Sequence, residues 1–153
     1  MNKKPSVLFL SSRNSVRSQL AEALLRHLAG DRFEVRSAGI FPQPVHVFTR
    51  RVLEESGISA TMLSAKSVRD YLARSVVNIA IILCDNGPAD PKVYPFAPAT
   101  LRWTFEDPLV LPGSEEEMLA RFRLLRDGIR TRVEAWLVEE ESKGAALEES
   151  ALV

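Results

Sequence analysis

Arg17 stands six positions after Ser11 in the stretch Ser11-Ser12-Arg13-Asn14-Ser15-Val16-Arg17-Ser18. A guanidinium presents a planar fork of donors that suits two oxygens of a phosphate-like oxyanion. Small polar residues fill the space before it, as a loop that must bring its backbone close to a ligand requires. The chemistry these residues point to is the binding of a tetrahedral anion.

The elements on either side support that reading. The apolar run Val7-Leu8-Phe9-Leu10 stops abruptly at Ser11, and the helix-forming run Gln19-Leu20-Ala21-Glu22-Ala23-Leu24-Leu25 follows the arginine at once. The order is strand, short loop, helix. Such a loop aims several N–H groups and the positive end of the helix dipole at one spot. That spot is a ready anion site, built from the amides of residues 12–17 and the Arg17 side chain.

The chain has 153 residues, 46% hydrophobic and 26% charged, which is ordinary for one globular domain with a substantial core. No apolar run approaches the roughly 20 residues of a membrane helix, and the start, Met1-Asn2-Lys3-Lys4-Pro5, has no signal-peptide pattern. One cysteine cannot form an internal disulfide. These features predict a cytoplasmic protein with no membrane partner. Net charge is zero, but residues 1–76 carry 12 Lys and Arg against 6 Asp and Glu, and the remainder carries the reverse excess. The basic half holds the loop and would attract an anionic ligand. Its basic residues are scattered, with no recognised motif, which argues against a nucleic-acid partner. No cofactor or metal is called for.

Along the chain, Ser6 to Leu10 reads as a buried parallel strand. A helix from about Val16 to Ala29 follows, with Leu20, Leu24, Leu25 and Leu28 on one stripe. Phe33 to Ser37 is a second strand, Val47 to Glu55 a second helix, and a third helix is predicted from Lys66-Ser67 to about Ala73. Val76 to Leu83 is the central strand, Asp85-Asn86-Gly87-Pro88 a turn cluster, and Thr100 to Thr104 the last strand. Ser114 is an N-cap for a helix running to about Glu140. Residues 1–141 make one domain, and 142–153 an acidic, frayed tail. Strands alternating with helices predict a parallel sheet covered on both faces, an α/β fold. Ligands bind beyond the carboxyl ends of such strands. Ser11 to Arg17, Cys84 to Pro88 and Glu106-Asp107-Pro108 all fall there.

The chain resembles the low-molecular-weight protein tyrosine phosphatases and the thioredoxin-coupled arsenate reductases over about residues 5 to 139. The signature of that family is cysteine, five residues, arginine, serine. Asn14, Ser15, Arg17 and Ser18 match it. So do Ser37-Ala38-Gly39, Leu53-Glu54-Glu55-Ser56-Gly57-Ile58, Leu83-Cys84-Asp85-Asn86 and Trp103-Thr104-Phe105-Glu106-Asp107-Pro108. The last two look more like the arsenate reductase branch, since Leu109 stands where phosphatases usually carry tyrosine. The resemblance implies a three-layer α/β/α fold with a four-stranded parallel sheet. It implies oxyanion binding by Ser12, Arg13, Asn14, Ser15, Val16, Arg17 and Ser18. It makes Asp107 the general acid, with Glu106 the weaker candidate, and the ligand phosphate, arsenate or a phosphotyrosine-type group.

Ser11 departs from the pattern, standing where the family has its nucleophilic cysteine. A thiol in such a loop ionises readily. A serine hydroxyl needs an adjacent general base, and the loop supplies none. His27, on the first helix, points elsewhere, and His46 reads as a solvated loop residue. The reset relay of the reductases is also incomplete. Cys84 matches its second cysteine, but the third would fall near Pro91 and is absent. By itself Cys84 reads as a small core residue. The sequence therefore predicts a protein that binds the oxyanion and turns it over poorly. It leaves open a phosphatase with an exchanged nucleophile, a reductase relative without its relay, and a non-catalytic binder of phosphorylated ligands. Arg13, where the family usually has glycine, adds bulk and charge beside the cradle.

Overall fold

The computed structural model describes residues 3–72, 74–85, 94 and 97–151, with side chains to residue 146. Four parallel strands, β1 (Ser6–Ser11), β2 (Glu34–Gly39), β3 (Ile79–Cys84) and β4 (Ala99–Thr104), form one sheet in the order β2-β1-β3-β4. β1 is buried along its whole length, as a continuous apolar run between two neighbours must be. Its register sets Ser11 beside Gly39 and Leu10 beside Ile82. The ends of β1, β2 and β3 thus meet at one edge.

Alternation along the strands divides the core in two. Val7, Phe9, Ile81, Leu83 and Trp103 face α1 (Arg17–Ala29), α2 (Val47–Glu55) and α3 (Glu115–Ala151). α1 lies between the sheet and α3 and is buried almost all round, polar residues Gln19 and Glu22 included. Leu8, Leu10, Ala38, Ile82 and Cys84 face the other way, against Val68, Tyr71, Leu72 and Tyr94. Trp103 joins the layers, with Phe9 5.9 Å and Trp136 6.5 Å away between ring centroids and Arg132 over its face.

The predicted strands and the first, second and last helices are all present, the second helix at its predicted bounds and the others with shifted ones. β2 runs on to Gly39, and β3 begins at Ile79 because Asn78 turns the chain: its Oδ1 accepts from Ser6 N at 2.8 Å. Among the described residues the third helix is corrected to a single 3-10 turn at Val68–Asp70. Ser67 is its N-cap. The reciprocal Ser67–Asp70 capping box closes that one turn, and Tyr71 and Leu72 then dock on the sheet. Ala73 and Asn86 to Pro88 lie outside the described residues. Ser114 caps α3, with Glu117 N donating to its Oγ at 3.1 Å. α3 does not stop near Glu140: it continues through Ala151. The stretch is rich in Ala and Glu, which favour helix, and Arg32 pairs with Glu141 at 2.8 Å. No described helix is long and apolar enough to cross a membrane.

Candidate oxyanion site

Residues 12–16 bridge β1 and α1 in a loop whose carbonyls are all turned away from its centre. Ser12 O accepts from Phe41 N at 2.8 Å, Arg13 O from Gln43 N at 2.9 Å, and Ser15 O from His46 N at 3.2 Å. Thr49 Oγ1 gives Ser15 O a second bond at 2.9 Å. Asn14 O takes Gln19 Nε2 at 3.1 Å, and Val16 O takes Leu20 N at 2.9 Å. With the carbonyls held from outside, the amides face inward. Among the described residues, none of the amides of Arg13, Asn14, Ser15 and Val16 donates a hydrogen bond to the protein. The N-cap of α1, Val16, gives no side-chain cap, and its first turn holds no acidic residue. Open amides and an uncapped helix start are what an anion completes.

Asn14 fixes the loop from within. It is fully buried and takes φ 52°, a left-handed value that asparagine tolerates better than most residues. Its Nδ2 donates to Ser18 Oγ at 2.8 Å and Ser37 Oγ at 2.9 Å. Its Oδ1 accepts from Gln19 Nε2 at 2.9 Å and Lys66 N at 2.8 Å. Ser18 Oγ in turn meets Ser11 Oγ. A Cβ on Gly39 would sit 2.8 Å from Asn14 N and from Arg13 C, so the end of β2 touches the loop with no room for a side chain.

Arg17 is buried under the loop, 4% exposed. Its Nη1 donates to Phe105 O at 3.3 Å, and its Nη2 lies 4.0 Å from Asp107 Oδ2. Asp107 is held by Leu109 N, which donates to Oδ1 at 2.9 Å. Ser11, Ser12, Arg13, Ser15, Val16 and Arg17 line one narrow cleft, with Asp107 and Leu109 across it. The structure thus brings together most of the sequence-predicted residues. Asn14 and Ser18 stand behind the cleft as supports. Glu106 lines an adjoining, more apolar hollow with Leu111, Arg121 and Leu124, and Asp107 borders both.

The histidines are placed differently. His27 is exposed on α1. His46 is corrected from a solvated loop residue to the N-cap of α2, its Nδ1 accepting from Phe48 N at 3.0 Å. Its ring packs against Phe48 and Phe122, with centroids 5.1 and 4.9 Å away. Burial lowers its pKa below the ordinary 6.5. Cys84 is fully buried at the end of β3, with Arg102 Nη2 3.3 Å from its sulfur. The position near Pro91 lies outside the described residues. Gln19, Thr49 and Lys66 support the loop without having stood out in the sequence.

Residues 6–150 match the sequence model of the low molecular weight phosphotyrosine protein phosphatase family. The chain belongs to that family. Its similar relatives include an arsenate reductase of Halalkalibacterium halodurans, 31% identical over 136 residues, covering 89% of this chain and 96% of that one. An arsenate reductase of Bacillus subtilis is 32% identical over 133 residues, covering 83% and 91%. Among solved structures, an arsenate reductase in the phosphate binding state superposes with TM-score 0.74 at 27% identity, covering 88% of this chain and 98% of that one. A low molecular weight protein tyrosine phosphatase from T. tengcongensis shares the fold at TM-score 0.67 and 20% identity, covering 89% and 99%. The phosphatase-like α/β fold expected from the sequence is the fold of this family.

Proposed function

We propose that the protein binds a phosphate-type oxyanion in the Ser11–Arg17 loop. The observation that carries this is the orientation of the loop: outside partners hold all five carbonyls of residues 12–16, while among the described residues four of its amides have no protein acceptor. Arg17 supplies the balancing charge. The family includes a relative solved in a phosphate binding state, which supports the same ligand class here, arsenate included.

The parent chemistry is hydrolysis of a phosphotyrosine or small phosphoester. A thiolate at position 11 would attack phosphorus and break its bond to the ester oxygen. Asp107 would protonate that oxygen as it leaves, and water would then hydrolyse the phosphocysteine. With Ser11 in place, no base stands by the hydroxyl, so the chain binds and turns over little. The single, buried Cys84 fits a reducing cytoplasm better than a disulfide-forming compartment.

The arsenate reductase relatives favour a second reading, a reductase descendant. One cysteine in the chain cannot run a relay of three, so on this reading too the retained property is binding. The test is phosphate titration by calorimetry or phosphorus NMR. Arg17→Ala removes most of the binding, and equal binding by that variant rejects the assignment.

A further inference from the structure

Resting on the oxyanion reading above, we propose that Arg13 makes the site selective for phosphate monoesters that carry a second anionic group. Two arginines line the cleft, and they are placed for different tasks. Arg17 is buried and already engaged with Phe105 O and Asp107. Arg13 is the exposed residue of the loop, with its neighbours from Ser11 to Ser18 buried. Among the described residues its guanidinium has no hydrogen bond or ion pair.

The root of Arg13 is nevertheless fixed. Its carbonyl is held by Gln43 N at 2.9 Å, and the Gly39 backbone presses against its carbonyl carbon. The cradle uses the backbone of Arg13, so the side chain is a surplus cation at the rim of a site that the amides and Arg17 already complete. The carboxylate in the same cleft, Asp107, sits beside Arg17, and Glu106 lines the neighbouring hollow. A monoester with one phosphoryl group leaves the Arg13 charge unanswered. A ligand with a carboxylate or second phosphate near the ester linkage would answer it. The anchored phosphoryl group has already paid the loss of rigid-body freedom, so this second contact adds to affinity at little further cost.

Phosphoglycolate and ethyl phosphate test this, because they share the phosphate ester and differ in one carboxylate. Calorimetric titration of the full chain at low ionic strength gives a preference of about five- to tenfold for phosphoglycolate, shrinking as salt is added. In Arg13→Ala the ratio of the two affinities falls towards one, whatever loss both ligands share. In Arg13→Lys, which keeps the charge, much of the ratio survives. A wild-type ratio near one, or a ratio unchanged in Arg13→Ala, overturns the inference while leaving oxyanion binding intact. Failure of phosphate itself and both esters to bind the wild-type chain overturns the oxyanion reading, and this inference with it.

Discussion

Ser11 Oγ and Ser18 Oγ lie 2.5 Å apart, and Ser18 Oγ already accepts from Asn14 Nδ2. Either hydroxyl can donate in that contact, whereas an anionic atom at position 11 can only accept and would face the Ser18 hydroxyl as its donor. A donor stabilises negative charge there but takes no proton from a hydroxyl. A thiol, which ionises near neutral pH in such surroundings, profits from the same contact.

Ser11→Cys is accordingly expected to turn a chain that hydrolyses an aryl phosphate at background rate into a measurable phosphatase. Asp107→Asn in that variant lowers the rate by about 10²–10⁴-fold. Steady-state assays with p-nitrophenyl phosphate decide it. Turnover by the serine form at an enzymatic rate means that the nucleophile is elsewhere. A cysteine form that binds phosphate yet stays inert makes the chain a binding protein. Thioredoxin-driven arsenate reduction is not expected from Ser11→Cys, since Cys84 would be its single further thiol.

Gly39→Ala tests the contact between β2 and the loop. The added carbon meets backbone at 2.8 Å, so strand or loop has to move. Such overpacking costs about 1–3 kcal/mol. Tm falls, and phosphate affinity falls with it because the displaced atoms belong to the cradle. An unchanged Tm and affinity would show that the loop yields freely.

Asn14→Ala removes the partners of Ser18, Ser37, Gln19 and Lys66 together and puts alanine at a positive φ. A loss of about 2–4 kcal/mol is expected in denaturant unfolding. A loss below about 1 kcal/mol would mean that water replaces the network at little cost.

His46 makes stability depend on pH. Its Nδ1 must be unprotonated to accept from Phe48 N, and burial keeps its folded pKa below 6.5. As pH falls, the unfolded chain takes up the proton first. The cap's contribution is complete above the ordinary histidine pKa and is lost as pH drops from there through the folded value. Asparagine caps without titrating. His46→Asn should therefore gain in Tm relative to wild type between about pH 7 and about pH 5. Parallel Tm curves would rule out the cap as the titrating element.

Local patterns made much of this legible. The run Val7–Leu10, the small residues after it and the leucines of α1 define strand, loop and helix by periodicity alone. The spacing from Ser11 to Arg17 located the cleft. Contacts distant in sequence were not legible. Nothing near His46 announces that it caps a helix while its own amide holds Ser15 O. Lys66 and Ser67 carry a helix-start signal, yet Lys66 N is committed to Asn14 and Lys66 O to Gly39 N. A single turn is what remains. The tail from residue 142 has helix-forming composition, and its polarity masked that.

The outward-turned carbonyls of the loop have a thermodynamic consequence. They are held by residues 41–49, together with Gln19 and Leu20 of α1, so the cradle has no counterpart in an unfolded chain. An anion that occupies it binds the native state alone, and mass action then raises the unfolding free energy by RT ln(1 + [L]/Kd). At about 100 times Kd that is roughly 2.7 kcal/mol. The inorganic phosphate around the protein would thus set its thermal endurance whether or not any bond is ever cleaved. A buffer change would be enough to reveal occupancy.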